Sequence, residues 1–426
     1  MVSRRKFVQM AGAIPVAMSL QSGALNAFVS EPLRKDGPSI RKIKVFSSSA
    51  NFYRYIGVNA YGKKSFGINR QKRSFTIELS DGTIGIGTFG NIGISNDSAE
   101  VVRELLGKNI LGFYQWKNDQ IIGVSPEYRK YFFDTRYSWI ESGILDAVGK
   151  IMNVPVWKLF GKAIRNGIDP YDGTVYFEEI VHNTDVSIIA AVGKRIKADG
   201  YRAIKIKLGR PYQWVSGEAG MNRDVEAFIA LREAVGNNIK IMADANDGYQ
   251  NHFDLAVELM KKCAPYDMYF MEELFPDDAA LYKKMRSALL EHNYFIPFAE
   301  GESFRTGEEF ESACKDHIYN YLQPDMATWG VSNMLATATY AEKFPDIKLI
   351  PHVWHNQIGL IMSLHVSKLK KNIAYVEDSR FSEHIYECGR YIFRDGQWFI
   401  PDVSGWGITF APDHEQFIVA QHLEIA

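Results

Sequence analysis

Ala203-Ile204-Lys205-Ile206-Lys207-Leu208 alternates without a break, so a strand here carries both lysines on one face and the three aliphatic side chains on the other. Further runs of the same kind follow. Ile241-Met-Ala-Asp244-Ala-Asn246 puts Asp244 and Asn246 on one face. Met268-Tyr-Phe-Met-Glu272-Glu273-Leu ends in two acids, and Phe298-Ala-Glu300-Gly-Glu302-Ser offers two more. Leu322-Gln-Pro324-Asp325, Ile350-Pro351-His352 and Tyr375-Val-Glu377-Asp378 complete the series. From Lys207 onward the polar ends are spaced 37, 28, 30, 23, 27 and 25 residues apart, through Asp244, Glu272, Glu302, Asp325, His352 and Glu377. With Thr174–Phe177 placed first, eight strands are expected: 174–177, 203–208, 240–246, 268–274, 296–303, 321–325, 348–353 and 373–378. Amphipathic stretches separate them, the mark of βα units around a parallel sheet. A repeat of this length with polar ends on nearly every strand is best explained by a closed (β/α) barrel, a modified TIM barrel. An open doubly-wound sheet is the alternative, and it would need polar ends at one crevice only.

Upstream the pattern differs. Residues 42–61 alternate, followed by Arg73-Ser-Phe-Thr-Ile-Glu-Leu79 and Thr83-Ile-Gly-Ile-Gly87, with Ser80-Asp81-Gly82-Thr83 as the turn between the last two. Helical periodicity covers 99–106 and 139–151, where Ile140, Ile144, Val148 and Ile151 recur on one face. This reads as an α+β capping domain over 40–165, ahead of a barrel over 170–385 and a C-terminal segment over 386–426 that returns to the cap. Gly85-Ile-Gly87-Thr-Phe-Gly90 matches a dinucleotide-binding pattern, but its strand belongs to a hairpin and no parallel βαβ unit surrounds it, so it is set aside.

Composition narrows the function. Of 426 residues 46% are hydrophobic and 23% charged, which excludes wholesale disorder. Forty-nine basic against 50 acidic side chains leave a net charge of −1, which argues against a nucleic-acid partner. Cys263, Cys314 and Cys388 form no CxxC pair and are too few for a disulfide framework. No apolar run approaches the roughly 20 residues needed for a membrane span. Ser3-Arg4-Arg5-Lys6-Phe7-Val8, the apolar stretch 10–20 and small residues near Ala24 and Ala27 read as a twin-arginine signal peptide over 1–27, which predicts a periplasmic protein.

The strand ends carry the chemistry. Lys205 and Lys207, turned into a barrel, are expected to lower each other's pKa, so that one becomes a base near neutral pH. Taken singly, each acid reads as a surface or capping carboxylate. Acids ending three consecutive strands would repel one another unless a cation sat between them, and an all-oxygen set suits a hard ion such as Mg²⁺. Asp325 beside His352 makes a general acid/base dyad. Glu377 is a candidate hydrogen-bond donor if its neighbours keep it protonated.

Lys-x-Lys on the second strand, acids on the third to fifth, Asp on the sixth, His on the seventh and Glu on the eighth resemble the mandelate racemase group of the enolase superfamily. The stretch Ile144-Leu-Asp146-Ala-Val-Gly-Lys-Ile-Met-Asn153-Val-Pro-Val is similar to the helix that precedes the barrel in that family. The resemblance implies that Asp244, Glu272 and Glu302 hold Mg²⁺, with Glu302 chosen over Glu300 and Glu272 over Glu273. It makes Lys207 one base, tuned by Lys205, which also contacts the substrate carboxylate. His352 with Asp325 becomes the acid/base of the opposite face, and Glu377 a hydrogen-bonding partner of the enolate. Thr88 stands where many relatives carry Glu, and Trp354-His355 after the dyad is unusual.

The implied reaction is proton abstraction next to a carboxylate. Dehydration of an acid sugar to a 2-keto-3-deoxy acid is the favoured outcome; racemisation, epimerisation and lactone cycloisomerisation share the same intermediate. The early loop with Arg54 and Tyr55, together with Asn246 and Trp354, is expected to read the rest of a small carboxylate substrate. A binding protein on a retired barrel is the non-enzyme alternative, and it should have lost a ligand or a base, whereas none is missing. Association into a homo-oligomer is expected from the resemblance.

Overall fold

The chain is described by a computed structural model covering residues 37–90 and 96–426. The proposed signal stretch lies outside the described residues. In the cap, β1 (Ile40–Ile56) pairs antiparallel with β2 (Gly67–Leu79), which pairs with β3 (Ile84–Thr88). The expected turn is present: Gly82 has φ +86° and Asp81 Oδ1 accepts from Thr83 N at 2.9 Å. Gly85 and Gly87 of the set-aside glycine pattern serve packing instead. A Cβ on Gly85 would lie 2.2 Å from Gly143 O, and one on Gly87 2.7 Å from Gly143 N, so only glycine lets β3 lie against the helix Glu141–Ile151.

Eight parallel strands form the second sheet: β4 (Pro170–Val175), β5 (Ala203–Lys207), β6 (Lys240–Asp244), β7 (Met268–Glu272), β8 (Phe298–Glu300), β9 (Tyr321–Leu322), β10 (Lys348–Leu349) and β11 (Val376–Asp378). Their order is β10-β9-β8-β7-β6-β5-β4-β11. Leu349 also bridges Ile373 in parallel, with Leu349 N donating to Asn372 O at 2.8 Å and Ala374 N to Leu349 O at 2.9 Å. The run leading into β11 thus meets β10, and the curled sheet comes round on itself, as a barrel requires.

The strands are shorter than their alternation suggested. Pro324 and Pro351 lack the N–H that would continue the ladder, so β9 and β10 stop after two residues and their polar ends emerge from irregular backbone. The first barrel strand starts at Pro170, not Thr174, and is buried along its whole length. Tyr171, Ala203, Met242, Phe270, Ala299 and Ile350 fill the interior beneath the polar ends, with Tyr269, Tyr321 and Tyr375 packed against them.

The C-terminal residues join the cap sheet. β12 (Phe381–Glu383) and β13 (Ile418–Ile425) both pair antiparallel with β1. The buried Asp146 carboxylate fastens three segments, accepting from Ile86 N at 2.8 Å, Trp406 N at 2.8 Å and Lys150 Nζ at 2.6 Å. Among the described residues no helix is long and apolar enough to cross a membrane.

Candidate active site

Alternation on β5 turns both lysines into the barrel, where they are almost wholly buried. Register aligns Lys207 with Asp244 and Asp244 with Glu272, so one ammonium and two carboxylates stand at the same level. Lys205 Nζ lies 2.8 and 2.9 Å from the two Glu272 oxygens, 3.0 Å from Glu377 and 3.4 Å from Asp244. Lys207 Nζ pairs with Asp244.

These pairings reverse the expected tuning. Burial opposes the charged form of each lysine, but Glu272 and Glu377 around Lys205, and Asp244 beside Lys207, outweigh it and hold both well above the ordinary lysine value. Glu377 departs from expectation in the same way. Burial works against its charge, yet Lys205 and His352 keep it below the usual range, and it accepts from Val353 N at 2.8 Å rather than donating. Asp244 is likewise held down by Lys207 and Lys205 against burial. Glu272 goes the other way, pushed up by burial and by the Asp244 carboxylate.

On the far wall, His352 Nδ1 is 2.8 Å from Asp325, while its Nε2 is 3.1 Å from Glu302 and 3.8 Å from Glu377. Burial disfavours the imidazolium, but Glu302, Glu377 and Asp325 together raise His352 to about 10. β5 and β10 stand three places apart in the closed ring, so Lys207 and His352 look into one cavity from separate walls. That cavity, about 40 Å³, is lined by Asn59, Tyr61, Tyr176, Lys207, Asn246, Glu302, His352, Trp354 and Glu377. A larger cavity of about 310 Å³ lies outside the barrel wall, beside Leu360, Phe393 and Trp398, and holds none of these bases. The candidate acid/base groups face the smaller one.

Of the residues expected to read the substrate, Asn246 and Trp354 line the cavity. Asn246 has φ +44°, accepts from Asn59 Nδ2 at 3.0 Å and donates to Glu273 at 2.9 Å. Trp354 stacks on Tyr176 at 5.1 Å and meets Phe52 and Phe66 of the cap. Arg54 and Tyr55 do not line the cavity. Arg54 is buried on β1, paired with Glu178 and donating to Thr174 O, and the Tyr55 ring lies 5.2 Å from His182. The chain leaves β1 after Ile56, and Asn59 and Tyr61 just beyond reach the site instead. Both belong to the loop whose composition flagged it, but nothing in the sequence separated them from Arg54.

Gln323 was also missed; its Nε2 donates to Glu272 at 2.9 Å, and only the pleat of the barrel turns it inward. Glu300 faces the helix Ala279–Glu291, where Tyr282 donates to it, and so is not a cavity residue.

The acids have the donor chemistry of a hard-cation site. Asp244 and Glu272 are fully buried neighbours, and Glu302 rises from the next strand end. Burial, together with Glu302, Asp244 and Glu272, pushes Glu273 well above the carboxylate range. Among the described residues, no three His, Cys, Asp or Glu side chains stand as a closed metal cage. The lysine ammoniums supply the positive charge against Asp244 and Glu272, and Glu302 leans to His352. Oxygen donors from three consecutive strands fit Mg²⁺ once those ion pairs open.

Comparisons with known proteins give the family and the fold. Residues 187–414 match the family model described as enolase C-terminal domain-like. The chain is 28% identical to the arabinonate dehydratase of Saccharolobus solfataricus, over 78% of this chain and 86% of that one. It is 27% identical to the 3,6-anhydro-alpha-L-galactonate cycloisomerase of Streptomyces coelicolor, over 64% of this chain and 68% of the other. Its fold is that of a mandelate racemase/muconate lactonizing protein from Geobacillus sp. Y412MC10 complexed with magnesium and tartrate, with a TM-score of 0.76, 22% identity and coverage of 89% and 95% of the two chains.

Proposed function

This chain belongs to the mandelate racemase/muconate lactonizing enzyme family of the enolase superfamily, and from that premise we propose that it dehydrates an acid sugar to a 2-keto-3-deoxy acid. It is an enzyme of that superfamily, and its metal is Mg²⁺. The observation that carries the reading is one cavity faced by Lys207 on one wall and the His352–Asp325 dyad on another, above carboxylates from three successive strand ends.

Asp244, Glu272 and Glu302 would hold the ion, which when bound supplies Lewis-acid stabilisation of the charge that develops on the substrate carboxylate. Lys205 places positive charge beside the same carboxylate. Asp244, as a ligand of the ion, would no longer be committed to Lys207, and Lys207 would take the proton from the carbon next to the carboxylate. The C–H electron pair forms the new C=C bond as the neighbouring C–O bond breaks. His352, kept charged by its acids, gives its proton to the departing hydroxyl, which leaves as water, and the enol then tautomerises to the ketone. Asn59, Tyr61, Asn246 and Trp354 shape the wall around the remaining carbons.

The relatives' names include arabinonate and galactonate dehydratases, which supports elimination. A cycloisomerase among them, and bases on two walls, favour lactone cycloisomerisation as the second reading. Proton NMR in D₂O with Mg²⁺ and a panel of aldonic and aldaric acids separates the two. A new 3-deoxy methylene signal supports dehydration; exchange with the carbon skeleton intact moves the protein to isomerisation; no exchange with any acid sugar refutes both. Export to the periplasm and self-association are parts of the same proposal, supported by Arg4-Arg5 with the apolar stretch that follows and by the family resemblance. Fractionating cells that express an Arg4→Lys, Arg5→Lys variant tests the first, and sedimentation tests the second.

A further inference from the structure

Gln323 stands where the acidic strand ends meet the histidine dyad. β9 stops at Leu322, and Pro324 offers no N–H to extend it, yet the Gln-Pro-Asp run that follows is tied on both sides. Gln323 N donates to Glu300 O at 2.8 Å, Ile350 N to Leu322 O at 3.0 Å and His352 N to Pro324 O at 3.2 Å. From this fixed backbone two side chains reach into the barrel. Gln323 Nε2 donates to Glu272 Oε2 at 2.9 Å, and two residues on, Asp325 meets His352 Nδ1 at 2.8 Å. Glu272 belongs to β7, two strands away from β9, so the first contact spans the interior.

Glu272, not packing, accounts for an amide at this position. Gln323 is almost wholly buried, and its Oε1 has no hydrogen-bond partner among the described residues. Turning the amide over would set that oxygen against the carboxylate, so the orientation is fixed by the Nε2 contact. A side chain kept only to fill space would be apolar, because a buried amide with one end unpaired costs stability. Lys205 also holds Glu272, at 2.8 and 2.9 Å, but it is shared with Glu377 at 3.0 Å and Asp244 at 3.4 Å. In the reaction proposed above, Lys205 also sets its charge beside the substrate carboxylate. An ammonium competes with a metal ion for the same carboxylate, whereas a neutral amide can keep its hydrogen bond while the ion takes up the charge.

We propose that Gln323 is a positioning residue for the metal, its Nε2 holding the Glu272 carboxylate in place for Mg²⁺ when Lys205 turns to the substrate. Partners that hydrogen-bond a ligating carboxylate fix its orientation. This role rests on the reading of Glu272 as a ligand of the ion.

The test is calorimetric titration of Mg²⁺ into the full chain after its metal has been stripped. Gln323→Met keeps the volume and removes the amide, and it should bind Mg²⁺ about 10–100-fold more weakly than wild type, the usual cost of losing such a partner. Its metal-free melting temperature should change little, since Lys205 still engages both Glu272 oxygens. Saturating Mn²⁺ should give the variant an altered electron paramagnetic resonance spectrum, which a packing role would not move. Gln323→Asn, one methylene shorter, should behave alike and takes over if Gln323→Met does not fold. Failure of both to fold would make the residue structural and overturn its assignment, as would wild-type Mg²⁺ affinity in either folded variant. Glu272→Gln separates this role from the reading beneath it. If that variant loses Mg²⁺ while Gln323→Met binds as wild type does, Glu272 remains a ligand and Gln323 is not its support. If Glu272→Gln binds Mg²⁺ unchanged, the ligand assignment falls and the role of Gln323 falls with it.

Discussion

Asp325 and His352 are joined twice: their backbones form a parallel bridge past the ends of β9 and β10, and the carboxylate lies 2.8 Å from Nδ1 of the imidazole. The other Asp325 oxygen accepts from Thr328 N at 2.8 Å, capping the helix Met326–Trp329. Each oxygen therefore has one task, and the contact to Nδ1 turns Nε2 toward the cavity while helping to hold the imidazolium.

Asp325→Asn keeps the helix cap but removes the charge that orients the ring and helps to keep His352 protonated. Turnover should fall by about 10²–10⁴-fold, the range for loss of an acid/base group, with little change in melting temperature. A variant of near wild-type rate would show that the dyad does not act as one unit.

Removing the imidazole separates the two halves of the reaction. With His352→Asn, Lys207 can still exchange the α-proton while the hydroxyl has lost its acid. Exchange in D₂O should persist with product formation abolished, and Lys207→Ala should abolish both. Loss of exchange in the histidine variant would make His352 the base.

Lys205 is surrounded by Glu272, Glu377 and Asp244, all buried. Lys205→Met leaves those carboxylates uncompensated, which should destabilise the metal-free protein by about 3–5 kcal/mol in denaturant unfolding. Added Mg²⁺ should narrow the gap. A deficit well under 1 kcal/mol would mean that another cation balances the cluster.

Excess chelator should abolish activity, and Mg²⁺ should restore it. Glu302→Gln should weaken Mg²⁺ binding at least tenfold, whereas Glu300→Gln, whose side chain faces Tyr282, should not. The reverse order would exchange their roles.

Glu141 supplies a pH dependence of stability remote from the site. It is fully buried, accepts from Ser332 N at 2.8 Å and Tyr114 Oη at 3.2 Å, and burial pushes it up to about 7. The folded state therefore holds this proton more tightly than the unfolded chain. The stabilisation is complete below the unfolded value near 4.5 and is lost as pH rises through about 7, on the order of 3 kcal/mol. Unfolding free energy should decline between pH 5 and 8, and Glu141→Gln should flatten that decline. Equal slopes would place the cause elsewhere.

Much of the barrel was legible because short apolar strands recur at the spacing of βα units, and a charged residue at the end of such a strand has few reasons to be there. The same logic located Lys205, Lys207, Asp244, Glu272, His352 and Glu377 on their walls. Strand lengths were not legible, because Pro324 and Pro351 end the ladder while the apolar pattern runs on. Arg54 shows a second limit: its charge suggested a substrate contact, but Glu178 and Thr174 consume it inside the fold.

The sequence by itself determined the class of fold and the kinds of group that meet at its strand ends, since period, spacing and residue chemistry are local properties. Tertiary structure decided their charge states and partners. The lysines expected to lower each other's pKa are held high by Glu272, Glu377 and Asp244, and Glu377 is an acceptor because Val353 N and Lys205 reach it. It also set Gln323 Nε2 against Glu272. Electrostatic energy depends on distance and burial, and neither exists until the chain has closed.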